Sequence, residues 1–267
     1  RKITINKNRF VIAIVIIILI IAALFTIGIK IVNKKTKNNS FVEKKIQLHF
    51  KDRINSLANY KYKDYYTVGW LQVQGTNIDY PILNHNASSI DPTQLNFGWR
   101  SPLYQTGQNK EVIIGHNIIN VSSEPIRNME NLNNFEGLMA FTYEDFAKEN
   151  LYITYTKGNS NDIYKIFGAY FRTYNEESAQ SIGNNEKTKE YIKSVFKNSI
   201  YDYSVDVNEN DKIIVIKTCT RYFGVNKNQE FLIIARKLRD NEEITKYKVT
   251  KNDNYKLLAE GVSKENG

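Results

Sequence analysis

The feature that most narrows what this chain can become is a series of short apolar runs, rich in Ile, Val and Tyr, that turn-forming residues interrupt before any reaches helical length. They are Gly69–Val73, Ile78–Ile82, Glu111–Ile114, Leu151–Tyr155, Tyr164–Tyr170, Lys212–Lys217 and Phe231–Ala235. Runs of four to eight β-branched and aromatic residues bounded by Gly, Asn, Asp and Pro read as strands. Strands that succeed one another without a regular helix between each pair imply a closed or nearly closed β-barrel. Helical spacing interrupts the series around Ile126–Phe135 and, more clearly, at Glu186–Ser199, immediately before the Lys212–Lys217 run.

Ahead of the barrel lies a different texture. Phe10–Ile29 holds twenty residues without a charge, the length that spans a bilayer as a helix. A cleaved signal peptide has a shorter apolar core and a small-residue cleavage site, whereas this run passes directly into Lys30 and a Lys/Asn-rich stretch. It is expected to be an uncleaved, single-pass anchor. Basic residues flank it on both sides, so charge alone does not orient it; the size of the C-terminal domain favours the N-terminus inside. The expected organisation is a short cytoplasmic segment at 1–9, the anchor at 10–30, a tether and amphipathic helix at 31–61, a catalytic domain at 62–239 and a polar, peripheral tail at 240–267. Within 31–61, Val42, Ile46, Phe50, Ile54 and Leu57 recur at helical spacing behind Asn39-Ser40.

The net charge of +9 is concentrated: residues 1–42 carry eight Lys and Arg and no acid, so the remainder is close to neutral. A basic stripe for phosphate backbones is therefore not a property of the domain, and nucleic acid is excluded as a partner. One Cys and three His give neither an intramolecular disulfide nor a usual structural zinc set.

The single cysteine, Cys219, falls where the run Lys212–Lys217 gives way to a loop. Strand backbone held still beneath an accessible thiol suits a nucleophile, and flanking Thr218, Thr220, Lys217 and Arg221 differ from the apolar wrapping of an inert Cys. A base is needed. His49 sits inside the amphipathic helix and His85 in the polar turn Asn84-His85-Asn86. His116 closes Val112-Ile113-Ile114-Gly115-His116-Asn117, again the end of an apolar strand, behind a glycine. A base and a nucleophile at the exits of two strands can meet in space though far apart in sequence.

These residues carry a family resemblance. Ile114–Asn117 and Lys217-Thr218-Cys219 resemble the His and TLxTC signatures of sortases, membrane-anchored cysteine transpeptidases of Gram-positive bacteria, with Ile216 in place of the family's Leu. Gly69-Trp70-Leu71, Gly75–Pro81, Tyr164–Phe167 and the helix Glu190–Ser199 followed by Ile200-Tyr201-Asp202 resemble class B in particular. The resemblance covers about residues 62–238. It implies a sortase-like closed eight-stranded β-barrel, mainly β with added helices. It also implies a thioester on Cys219 formed at the carbonyl of a Thr in a C-terminal sorting signal, with His116 as acid and base, and no metal or organic cofactor. The implied partners are sorting-signal-bearing surface proteins and, as acceptor, the amine of a peptidoglycan precursor or pilin. The membrane is engaged through residues 10–29, with the domain outside the cell. The connection from Thr173 to Asn210 would wall the substrate groove, with Leu95, Tyr191, Thr218 and Thr220 as substrate-binding residues.

One departure is chemical. The family's Arg, expected at the start of the strand after the Cys, is Glu230 here, and Arg236 lies six residues further on, about 20 Å along an extended strand. Lys227 is a flexible point charge in the loop. Arg221 is the expected substitute, held by a salt bridge to Glu230. Two other readings stay open: a degenerate sortase-like binder of sorting signals, and a membrane-anchored cysteine peptidase. Papain-like peptidases, however, place Cys before His and at a helix start.

Overall fold

A computed structural model describes residues 16–17, 20–21, 23–26, 67–84, 98–100, 110–117, 135–158, 160–173, 185–223 and 229–255. The chain divides into two compact units, Arg1–Gln47 and Leu48–Gly267. In the first, the described residues are helical, and the large side chains among them, from Ile16 to Phe25, are 51–70% exposed. Among the described residues no helix is long and apolar enough to cross a membrane. Most of the expected anchor, and the whole amphipathic helix with His49, lie outside the described residues.

In the second unit the strands β1 (Thr67–Val73), β2 (Asp79–Asn84), β3 (Gly98–Arg100), β4 (Lys110–Gly115), β5 (Tyr152–Lys157), β6 (Ser160–Thr173), β8 (Ile213–Thr220) and β9 (Gln229–Lys237) close into a barrel. Around it they run in the order β1-β2-β3-β4-β8-β9-β6-β5. The pair β4–β8 is parallel and β8–β9 antiparallel, so β8 is central and hydrogen-bonded on both sides. Parallel neighbours need a long crossover. Here it contains a 3-10 helix (Phe135–Thr142), α1 (Glu144–Glu149), β5, β6, α2 (Asn185–Asn198) and the short strand β7 (Tyr201–Tyr203). Of the helical pattern expected at Ile126–Phe135 only Phe135 is described, and the helical turns run on from it.

Why β8 reads as a continuous apolar run rather than an alternating one is explained by its cover. Ile214 and Ile216 face the barrel core with Ile233 and Ala235 across the β8–β9 ladder, all fully buried. Val215 faces the other way, yet it is also buried, because α2 lies over the outer face of the sheet. Strands buried on both faces lose the period-two pattern. The helix reaches the sheet at Gly168, where β6 shifts register against β9. A Cβ at Gly168 would stand 2.4 Å from Val195 Cγ1, so only glycine admits this contact. On its apolar stripe α2 buries Ile192 and Val195, the pattern of a helix docked on one face.

As far as it is described, to residue 255, the expected peripheral tail is part of the domain, a correction to the sequence reading. β10 (Val249–Lys251) pairs with β7. The Tyr247 hydroxyl lies 2.5 Å from Leu151 O and 2.9 Å from Ile166 O. Asn252 Nδ2 donates to Phe196 O and Ser199 O. Glu242 accepts from Arg236 Nη2 and from Lys165 Nζ, each at 2.7 Å, while the Arg236 side chain is only 3% exposed. Polar residues hide this role from hydropathy, because what they supply is partners for buried charge and backbone.

Hydrogen bonds from Arg236, then from Lys165, hold the Glu242 carboxyl down at about 2 from its ordinary 4.5, against the opposing effect of burial. A carboxylate depressed in the folded state contributes stability that is full above pH 4.5 and lost as pH falls through its folded value. Glu242→Gln is expected to lower stability at pH 7 by about 3 kcal/mol, because it leaves two cations without their carboxylate. Urea unfolding at pH 7 and at pH 3 checks this. The wild-type advantage should shrink at the lower pH, and an equal advantage at both would show that the carboxylate is not the stabilising group.

Candidate active site

The parallel register of β4 and β8 places Gly115 beside Thr218, so the next residue of each strand, His116 and Cys219, emerges at one mouth of the barrel. The two strands are tied there by the Thr218 hydroxyl, which donates to Gly115 O at 2.8 Å. Cys219 is exposed, with Sγ 3.9 Å from Asn117 O. The nucleophile and base expected from sequence are thus brought together.

His116 is held from the opposite side. Phe135 N donates to His116 O at 2.8 Å, and the Phe135 ring sits against Gly115, where an added Cβ would come within 2.1 Å of it. Phe135 is fully buried, as is the next residue, Glu136. Burial lowers the imidazole from its ordinary 6.5, and the negative charge of Glu136 opposes part of that fall. His116 is therefore mostly neutral at pH 7, the form in which an imidazole can accept a proton.

Thr218 and Thr220 are buried and alternate with Cys219 along β8, so their side chains face away from it. Thr220 Oγ1 accepts from Tyr222 N. Their expected contact with substrate is not offered by this arrangement; their side chains instead fasten the backbone that carries the thiol. Leu95, His85 and Lys227 lie outside the described residues. Tyr191, on α2, is half-buried and lines a small cleft with Lys110, Val112, Arg172, Val215, Lys217 and Leu232, on the same sheet face as Cys219.

The charge arrangement corrects the sequence reading. Glu230 pairs with Cys219 across the β8–β9 ladder and is 2% exposed. It makes no salt bridge to Arg221, which is exposed and forms no hydrogen bond or ion pair among the described residues. Instead Lys217 Nζ donates to Glu230 Oε2 at 2.7 Å, and Arg172, its partner across the β6–β9 ladder, donates from Nε at 2.7 Å and from Nη2 to Oε1. Lys110 stacks over the Tyr191 ring at 4.7 Å. Burial, then the charges of Arg172 and Lys217, push it down to about 8. Arg236 is committed to Glu242 and Asp206 at the far end of β9.

Arg172 is the residue that sequence reasoning missed. Its signal is indirect: a carboxylate heading the apolar strand Phe231–Ala235 must find a buried cation, but nothing in one dimension says which. Among the described residues no group of His, Cys, Asp and Glu has the makings of a metal site.

No family model matches the chain. Sortase B of Listeria monocytogenes is 26% identical over 159 residues, 57% of this chain and 62% of that protein; the matched region thus spans less than two thirds of the relative. Sortase B of Clostridium perfringens superposes with a TM-score of 0.52 at 21% identity, over 66% of this chain and 94% of that one. The Staphylococcus aureus sortase B–substrate complex gives 0.56 at 16% identity, over 78% and 98%.

Gly115→Ala tests how His116 is held. Forcing a methyl into the Phe135 ring is expected to cost about 1–3 kcal/mol, read as a lower urea midpoint, and to displace His116, read as an altered pH profile of Cys219 alkylation by iodoacetamide. Wild-type behaviour in both would show that the ring does not clamp this strand end.

Proposed function

Sharing the fold of the class B sortases and a sequence likeness to one of them, the chain is one for which we propose cysteine transpeptidation, with Cys219 as nucleophile and His116 as acid–base catalyst. The observation that carries this reading is the emergence of both residues at the same mouth of the β4–β8 pair. His116 takes the thiol proton, and the thiolate adds to the carbonyl carbon of a Thr in a sorting signal. The tetrahedral adduct collapses as the imidazolium gives its proton to the departing amine, leaving a thioester on Cys219. An incoming amine repeats the sequence in reverse, delivers its proton to His116 and restores the thiol.

The S. aureus enzyme has been seen with substrate, and a sortase B with triglycine; by likeness, a sorting signal and a primary amine are the two partners assigned here. The acceptor is the amine of a peptidoglycan precursor or a pilin. Residues 10–29 serve as a single-pass anchor and residues 62–239, with the segment up to 255 that packs on them, as the catalytic domain outside the membrane. The connection from Thr173 to Asn210, including Tyr191, walls the groove. The competing reading, a degenerate binder, draws on the carboxylate of Glu230 beside the thiol. It differs in one outcome, since a binder forms no thioester.

The full chain is incubated with a library of internally quenched peptides, each with one central Thr, with and without triglycine. Intact mass should show a peptide acyl adduct on Cys219, lost in Cys219→Ala and discharged by the amine. Release of free acid unaffected by amine would mark a peptidase instead. Because the base is neutral imidazole with a lowered pKa, the acylation rate should fall on acidification with a midpoint below pH 6.5. Glu136→Gln should move that midpoint further down, as the charge that opposes the lowering is removed. An acid limb above that ordinary value would contradict His116 as the base.

A further inference from the structure

We propose that Arg172 is the cation that receives the substrate's carbonyl oxygen in this site, with Glu230 as its positioning residue. This rests on the transpeptidase reading and adds to it the group that stabilises the developing negative charge. When the thiolate adds to the carbonyl carbon, its electron pair forms the C–S bond and the π pair moves to oxygen. A fixed donor aimed at that oxygen is worth about 10²–10³ in rate.

Among the described residues the cations near the thiol are few, and most are committed elsewhere. Arg236 pairs with Ile213 at the far end of the ladder. Lys110 starts beside Ile213 on the other flank, and its ammonium, in the cleft with Arg172 and Lys217, lies over the Tyr191 ring. Lys217 shares the Cys219 face but is buried, its side chain 7% exposed, and lies two residues deeper. Arg221 is near the thiol, but nothing among the described residues holds it, and an unfixed guanidinium supplies no preorganised donor.

Arg172 differs on each count. The rungs Cys219–Glu230 and Glu230–Arg172 put the three residues in line on one sheet face. Neighbouring strands are about 4.8 Å apart, so the Arg172 side chain starts roughly two strand spacings from the thiol. Glu230 grips one edge of the guanidinium, Nε and Nη2, and Nη1 has no partner among the described residues. Its side chain is 22% exposed while that of Glu230 is 3% exposed, so of the two it is the guanidinium that solvent and substrate can reach. Lys217 alone would neutralise Glu230. With Arg172 added, the cluster carries a net positive charge beside the thiol, the sign an oxyanion needs, and the planar fork gives it direction that a lysine lacks. A carboxylate that on its own opposes the reaction thus becomes the support of the group that assists it.

Thioester formation is timed by intact mass, with the peptide the wild type acylates fastest, on the full chain and on Arg172→Ala, Arg172→Lys and Arg221→Ala. Iodoacetamide alkylation of Cys219 reports separately on an intact thiol and fold. Arg172→Ala should acylate at least 100-fold more slowly while alkylation stays within about twofold, and millimolar guanidinium should restore part of the rate. If Arg172→Ala fails to fold, Arg172→Lys decides: charge is kept and the fork lost, so a folded variant should acylate at least tenfold more slowly. Acylation by Arg172→Lys at the wild-type rate, or a greater loss in Arg221→Ala than in either Arg172 variant, would overturn the assignment. A wild type that alkylates normally but accepts no acyl group would overturn the transpeptidase reading itself.

Discussion

The parallel pairing of β4 with β8 is the constraint on which the rest of this structure depends. It joins segments about a hundred residues apart, and its last rung, Gly115 beside Thr218, determines that His116 and Cys219 leave the sheet together. A slip of one residue would turn the thiol to the opposite face. The register is guarded on both sides: Ile113 and Ile216 meet in the core, and the Thr218 hydroxyl bridges to Gly115 O at the mouth. Closing so long a crossover costs entropy that local contacts do not return. The helices and strands within it offset that cost by burying both faces of β8.

Electrostatics imposes a second constraint. A carboxylate as deeply placed as Glu230 is tolerated only with its cations in contact, because stripping its water costs several kcal/mol. Arg172 and Lys217 supply them from the strands on either side, which locks three neighbouring strands into one charge arrangement directly beside Cys219. At the other end of β9 the same device recurs, one carboxylate between two cations, with β9 now contributing a cation: Glu242 serves the buried Arg236 and Lys165. Both ends of one strand are thus closed by ion pairs, one next to Cys219 and one remote from it.

Much of this is legible in one dimension where the physics is local. The strand runs, the helix at Glu186–Ser199 and the strand-end positions of His116 and Cys219 come from periodicity and turn residues, and they coincide with β1, β2, β4, β5, β6, β8, β9 and α2. The features that escape a linear reading depend on partners distant in sequence. The segment after Asp240 looks solvated because it is polar, yet Tyr247, Glu242 and Asn252 satisfy buried groups from Leu151, Arg236 and Ser199. Proximity along the chain makes Arg221 the natural mate of Glu230; the closing of β6 onto β9 puts Arg172 nearer in space. Adjacency to the thiol points Thr218 and Thr220 at substrate, whereas the pleat turns them away.

Whether residues 116 and 219 are neighbours is the most direct test. Cys219 is the only native cysteine, so His116→Cys creates a single possible intramolecular disulfide. Adjacent strands hold such residues about 5 Å apart between Cα atoms, inside the range a disulfide accepts. Under mild oxidation the variant should lose two hydrogens in intact mass and both free thiols, as a monomer, and recover them on reduction. Two thiols that stay open to alkylation after oxidation would contradict the β4–β8 register, and with it the site built on it.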